Sequence, residues 1–212
     1  HLMKSKKNSL VVPDNQPAVP RYRGRFAPSP TGPLHLGSLT AALASYLDAR
    51  ANNGVWLVRI EDLDPPREMP GATRMILGAL EKLGLYWDED VVLQSQRHEA
   101  YAEALHTLEG QNYTYACVCT RHQVAAHQGY YSGTCRDLHL PALPGSALRC
   151  RIQDLDLHFT DRLQGEVHQH LATQCGDFVI KRKDGLFAYQ LAVVVDDAWQ
   201  GITDVVRGID LL

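Results

Sequence analysis

The chain has 212 residues, 45% of them hydrophobic and 21% charged, with a formal net charge of −3. That length buries a substantial core, as one large domain or one domain with an insertion. The charge balance excludes the global basic excess that drives indiscriminate phosphate binding, and no apolar run reaches the roughly 20 residues of a bilayer span.

Residues 1–20 carry three lysines but neither a long apolar core nor a small-residue cleavage site, so no secretory signal is expected. His1 and Leu2 precede Met3 and read as a tag remnant. The rest of this stretch is polar and proline-punctuated, a disordered leader by composition. The expected address is the cytoplasm. Five cysteines in such a chain point to reduced thiols, and to a metal more than to a disulfide framework.

Arg23 to Ala27 reads as a short strand ended by Pro28 and Pro30. Residues 36–51 place Leu36, Leu39, Leu43, Tyr46 and Leu47 at helical spacing, which predicts an amphipathic helix. "VWLVRIED" (55–62) predicts a buried strand. "GATRMILGALEKLG" (71–84) predicts a second helix, with Met75, Ile76, Ala79, Leu80 and Leu83 on one side, and residues 97–108 a third. This order predicts a parallel sheet with crossover helices. The rhythm breaks at 113–145, rich in Cys, Tyr, His, Gly and Pro, which reads as an inserted module. A strand is expected at 147–154, a hairpin at 178–190 around Lys183-Asp184-Gly185, and a return to the sheet at 202–210.

"RFAPSPTGPLHLGS" (25–38) is the most informative stretch. Proline fixes φ, so Pro28 and Pro30 hold the loop in one path and limit the entropy lost when a ligand binds. Gly32 and Gly37 let a ligand approach the backbone. The unpaired N–H groups at the start of the next helix suit phosphate, and His35 adds a donor there. The stretch reads as a nucleotide-phosphate site without the Gly-Lys-Ser/Thr of a Walker loop.

It resembles the first signature of class I aminoacyl-tRNA synthetases, here His35-Leu36-Gly37-Ser38, and in particular their glutamyl/glutaminyl branch. "RIEDLDPPRE" (59–68), "WDED…QSQR" (87–97), "CVCT" (117–120) and "AYQLAVVVDDAWQGITDVVRG" (188–208) resemble the same branch, in the same order, over nearly all of 22–212. Ser38 stands where the wider class has a second histidine. Within the branch the chain is most similar to the glutamyl-queuosine tRNA(Asp) synthetase family, shortened relatives without an anticodon-binding domain.

The resemblance implies an α/β fold: a Rossmann-like parallel sheet with an inserted small zinc-containing module. The catalytic domain would span 21–110 and 176–212, and the module 111–175. It further implies activation of L-glutamate by ATP with Mg²⁺, independent of tRNA, and transfer to queuosine at the wobble position of tRNA(Asp). A monomer that contacts no membrane is expected. Catalytic positions would be His35, Gly37 and Ser38, within an ATP-binding signature of Pro28, Thr31, Gly32, His35, Leu36, Gly37 and Ser38. Glutamate would be held by Arg25, Phe26, Ala27, Pro28, Ser29, Glu61, Tyr189 and Arg207. Arginine suits a carboxylate because its fork donates two parallel hydrogen bonds. Glu61, at the carboxyl end of a strand, suits the α-ammonium. Asp62 and Asp64 read as solvated neighbours or helix caps. Asp196 and Asp197 are open between a helix cap and a ribose contact.

Cys117-x-Cys119 with Cys135 supplies three thiolates, one short of a closed tetrahedral zinc site. Chemistry alone leaves the fourth ligand open among His122, His127, Tyr131 and His139. In "YYSGTC" the resemblance implies Tyr131, and Asp137 stands where related zinc-bearing enzymes have a histidine. Cys150 and Cys175 read as isolated buried thiols. A Lys-x-Ser-Lys second signature is not found before "VVRGIDLL", and the sequence is therefore read as a shortened form. Two other readings stand beside this one: a fragment of a glutamyl-tRNA synthetase, and a non-catalytic, zinc-braced RNA- or protein-binding module.

Overall fold

A computed structural model describes residues 21–125 and 131–209. Three parallel strands form the first sheet: β1 (Arg23–Phe26), β2 (Val55–Ile60) and β3 (Val92–Leu93), in the order β1-β2-β3. Helices α1 (Leu36–Ala51) and α2 (Ala72–Lys82) make the connections, as the alternating pattern predicts. All six residues of β2 are buried, because it is the middle strand with neighbours on both edges. Trp56, Val58 and Ile60 pack with Phe26, Ala42, Ala49, Ile76 and Leu80 into one core.

The helix α1 turns a different face inward from the one its leucines predict. Ala42, Ser45 and Ala49 are buried, whereas Leu36, Leu43 and Leu47 are exposed. Small side chains let the helix sit close to the sheet, and the Ser45 hydroxyl accepts a 2.9 Å hydrogen bond from the Trp56 indole N–H. Packing distance, not side-chain apolarity, selects the face. In α2 the expected side is kept for Ile76 and Leu80, while Met75 and Leu83 stay exposed.

Helix α3 (His98–Gly110) leads to a second, antiparallel sheet. There β4 (Thr114–Cys117) pairs with β5 (Ala147–Cys150), and β5 pairs with a later strand, β8 (Val179–Lys181). The short helix α4 (Arg121–Ala125) lies between β4 and β5. A separate hairpin, β6 (Asp156–Asp161) with β7 (Gly165–His170), and helix α5 (Leu171–Gln174) precede β8. β5 and β8 thus share one sheet across the expected boundary at residue 175.

Two sequence expectations change. The second arm of the 178–190 hairpin is a single bridge, Lys181 to Phe187, because Ala188 already caps helix α6 (Tyr189–Trp199). Residues 202–208 are not a strand. They run beside the start of β1, where Thr203 and Asp204 both donate to the Arg23 carbonyl, at 2.9 and 3.3 Å. One shared acceptor builds no ladder, and the segment is free to turn Arg207 and Gly208 toward the cleft described next.

Candidate active site

The loop after β1 is tied down by its own carbonyls. Pro28 C=O accepts from the Glu61 N–H at 3.0 Å, and Pro30 C=O accepts from Met69 at 2.9 Å. The proline-stiffened path therefore crosses the carboxyl end of β2, where ligands bind in open α/β sheets. A cleft of about 400 Å³ opens beside it. Its lining includes Arg25, Phe26, Ala27, Pro28, Ser29, Thr31, Gly32, His35, Gly37, Ser38, Tyr189 and Arg207. Leu36 does not reach it; it is 81% exposed and points away. Glu61 lines an adjoining cavity of about 600 Å³, and Ser29, Thr31 and Tyr189 belong to both.

His35 is the N-cap of α1. Its Nδ1 accepts from the Ser38 N–H at 3.2 Å, and its Nε2 lies 3.0 Å from the Ser38 hydroxyl. The ring folds back over the first turn, which explains Gly37: a Cβ there would meet the imidazole Cε1 at 3.1 Å and Nδ1 at 3.2 Å. The residue types of His-x-Gly-Ser follow from this packing. The imidazole closes one orphan donor of the helix start, and Gly37 and Ser38 line the cleft.

Behind Arg25 lies a network that sequence reasoning missed. Arg59, the penultimate residue of β2, has no solvent exposure. Its Nη1 donates to Asp197 at 2.7 Å and to Gln200 at 2.8 Å, and its Nη2 donates to Glu61 at 3.2 Å. Asp197 also accepts from both Nε and Nη2 of Arg25, at 3.2 and 3.3 Å. Asp196 is fully buried and accepts from Gln94 (2.9 Å), Tyr101 (2.7 Å) and Arg97 (2.6 Å). Neither aspartate is a helix cap, and Asp196 has no surface to offer a ribose. The available signal was a charged residue inside the apolar run "VWLVRI", since a buried charge requires partners.

Burial pushes the Glu61 carboxyl up to about 7, against the opposing pull of the Arg59 and Arg25 guanidinium groups. Near neutral pH this carboxyl therefore changes charge. Asp62 accepts from the N–H and hydroxyl of Ser95, at 2.9 and 2.6 Å, and Asp64 pairs with Arg182 at 3.0 Å and Arg67 at 3.3 Å. Both bind the chain to itself.

The thiols of Cys117, Cys119 and Cys135 lie within 4.8 Å of one another. The buried Tyr131 hydroxyl is 3.4 Å from Cys117 Sγ and 3.5 Å from Cys119 Sγ, and accepts from the Cys135 N–H at 2.8 Å. Burial pushes the Cys135 thiol up, but hydrogen bonds from Tyr131 and the Val118 N–H bring it down to about 7. His122 and His139 stand outside this group, and His127 lies outside the described residues. Cys150 and Cys175 are half-buried, and burial pushes both thiols up.

A sequence model described as tRNA synthetases class I (E and Q), catalytic domain, matches residues 21–212. The chain belongs to this family. Among curated proteins, Glutamyl-Q tRNA(Asp) synthetase of Pseudomonas putida strain KT2440 is 60% identical over 204 residues, 96% of this chain and 66% of that protein. The protein of the same name from Pseudomonas entomophila is 60% identical over 192 residues, covering 91% of this chain and 65% of that protein. The chain thus spans just under two-thirds of the length of these relatives. A crystal structure of a glutamate tRNA ligase from Elizabethkingia meningosepticum, in complex with its amino acid, superposes with a TM-score of 0.78 at 30% identity. It covers 90% of this chain and 44% of that one. The Rossmann-like class I fold expected from the sequence is therefore present. No helix among the described residues is long and apolar enough to cross a membrane.

Proposed function

We propose that this chain carries the active site of a ligase that activates L-glutamate with ATP, independently of tRNA, and passes it to queuosine in tRNA(Asp). One observation carries the reading: a single cleft gathers Arg25, Tyr189 and Arg207 with the His35–Ser38 turn at the start of α1. Two guanidinium groups and a phenol suit a dicarboxylic amino acid. The helix start suits the phosphates of an ATP that arrives as its Mg²⁺ complex.

The substrate carboxylate is itself the nucleophile on the α-phosphate, so the protein supplies position and charge. Arg25 and Arg207 hold the amino acid's carboxylates, Tyr189 and Ser29 close the lip, and ionised Glu61 accepts from the α-ammonium. Ala27 and Pro28 contribute backbone. Thr31 and Gly32 let the phosphates approach, and His35 with Ser38 donates to the charge that develops there. Pyrophosphate leaves as glutamyl adenylate forms, and an acceptor hydroxyl then takes the glutamyl group and expels AMP.

The thiol group fits a structural zinc ion. Three sulfur donors are already gathered, and a phenol oxygen sits against two of them, in a set with the spacing a tetrahedral ion requires. Cys117, Cys119, Cys135 and Tyr131 would hold it, and it would brace the β4 end against the loop that carries Tyr131. The queuosine branch is favoured by this donor set, with Asp137 in place of a histidine ligand, and by the names of the 60%-identical relatives.

The similarity to a glutamate tRNA ligase supports a second reading, aminoacylation of tRNA itself. Glutamate-dependent ATP–pyrophosphate exchange separates them. Exchange without tRNA supports the proposal, and absolute dependence on tRNA overturns it. Glutamate transfer to queuosine-containing but not queuosine-free tRNA(Asp) then tests the acceptor.

A further inference from the structure

The β6–β7 hairpin carries a cluster that the glutamate and thiol sites leave unused. In its register His158 stands directly opposite His168, Asp156 opposite His170, and Thr160 opposite Glu166. Residues two apart on a strand, and their direct partners, share one face. One face therefore shows the two imidazoles with a carboxylate one rung to either side. His158 and His168 are exposed, with their Nδ1 atoms hydrogen-bonded to each other at 3.1 Å, so that an ion taking both nitrogens displaces one proton, and their ring centroids are 4.9 Å apart. The neighbouring His170 is engaged by Asp154 at 3.2 Å and Asp156 at 2.9 Å, and Thr160 donates to Glu166 at 2.5 Å.

We propose that His158 and His168 form a chelating site for a borderline divalent transition ion, such as Ni²⁺ or Zn²⁺, through their two Nδ1 atoms. Imidazole nitrogen suits these ions, whereas Mg²⁺ and Ca²⁺ prefer oxygen. With metal–nitrogen bonds of about 2.0–2.1 Å, neighbouring donors around a tetrahedral ion lie about 3.3 Å apart, close to the spacing present. The pair is also pre-organised. Asp161 Oδ1 accepts from the N–H groups of Leu163 and Gln164, both at 2.8 Å, and Gly165 takes φ +78°. This turn fixes the register that sets the two rings edge to face, 67° apart, so little chain entropy is lost when an ion bridges them. Asp156 and Glu166, one rung to either side, add favourable negative potential. No electron or group transfer is involved, and the site is independent of glutamate chemistry.

The test is a Ni²⁺ titration of the zinc-loaded protein with ¹⁵N-labelled histidine, so that the thiols are already occupied. Paramagnetic broadening is expected first at two imidazoles, saturating at one ion per chain. His158→Ala should weaken Ni²⁺ binding by about 100-fold, because the second donor then no longer binds intramolecularly. His168→Gln should do the same, and His122→Ala should change nothing. Both hairpin positions are exposed, and an unchanged thermal midpoint checks that the fold is retained. Broadening spread evenly over the histidines, or wild-type affinity in His158→Ala, overturns the proposal.

Discussion

The Arg59 network and the thiol cluster are both polar groups removed from water, and they are satisfied in opposite ways. Around Arg59 every carboxylate has a cation: Asp197 takes Arg59 and Arg25, Asp196 takes Arg97, and Glu61 takes Arg59. Charge is balanced by side chains from β1, β2, α6 and the start of α3, so folding pairs every charge and leaves only Arg59 Nε without a hydrogen-bond partner. Among the described residues the thiols meet each other, one phenol and the Val118 N–H. Among the described residues nothing cationic is supplied from within that cluster, and the proposed zinc ion would complete it. The first site is closed by topology and the second by composition.

That contrast sets the order of effects. Chelation of the proposed zinc should have the largest, since structural zinc sites contribute on the order of 10 kcal/mol of apparent folding energy in small modules. It should be local. Hydrogen exchange should accelerate across 115–119 and 131–136 while β2 stays protected. Simultaneous loss of protection in β2 would show that the two clusters are one cooperative unit.

Breaking the Arg59 network comes next. Arg59→Met leaves Glu61 without its buried cation and Asp197 with Arg25 alone, and removal of one partner from such a group costs about 3–5 kcal/mol. Urea unfolding followed by the fluorescence of buried Trp56 measures it. A cost near zero would mean that water or Arg25 replaces the guanidinium.

These two clusters also show what is legible in a sequence. The thiols are, because metal ligands cluster in local spacing: Cys117, Cys119, Tyr131 and Cys135 fall within one short segment. The strand–helix alternation of 23–84 is legible for the same reason, since its periodicity is local. The Arg59 network is assembled from residues 25, 59–61, 94–101 and 196–200, and its pairs exist only once the strands are registered. Asp196 and Asp197 stayed ambiguous because adjacent identical residues point to different layers of the structure. The inward face of α1 was misread because hydrophobic spacing finds large side chains, whereas close helix–sheet packing here selects Ala42, Ser45 and Ala49. Helix α6 is absent from the expected elements because its β-branched run "AVVV" has low helix propensity.

Glu61 sharpens the comparison through pH. Its folded pKa of about 7 lies above the unfolded value near 4.5, so between these pH values the native state binds a proton that the unfolded state has lost. Its stabilising contribution is full below about pH 4.5 and is lost as pH rises through 7, about 3 kcal/mol in all. Glu61→Gln should abolish that part of the slope, visible as a smaller difference in unfolding free energy between pH 5 and pH 8. An unchanged slope would place the titration elsewhere. In the proposed reaction the same ionisation makes glutamate bind more tightly as pH rises from 6 to 8, and the variant should lose this dependence of KM.

The smallest effect belongs to the helix start that faces the cleft. His35→Ala removes the cap on the Ser38 N–H and should cost about 1 kcal/mol of stability. Gly37→Ala keeps the histidine but places a methyl 3.1 Å from its ring, so the imidazole must swing off the first turn. If capping were all that His35 does, the two variants would lose the same stability and nothing else. If the ring also donates to phosphate, both should lower kcat for pyrophosphate exchange with little change in the KM for glutamate. His35→Asn then separates the roles. Asparagine caps well, so stability should return to within a few tenths of a kcal/mol, while exchange stays slow. Recovery of exchange along with stability would reduce His35 to a cap.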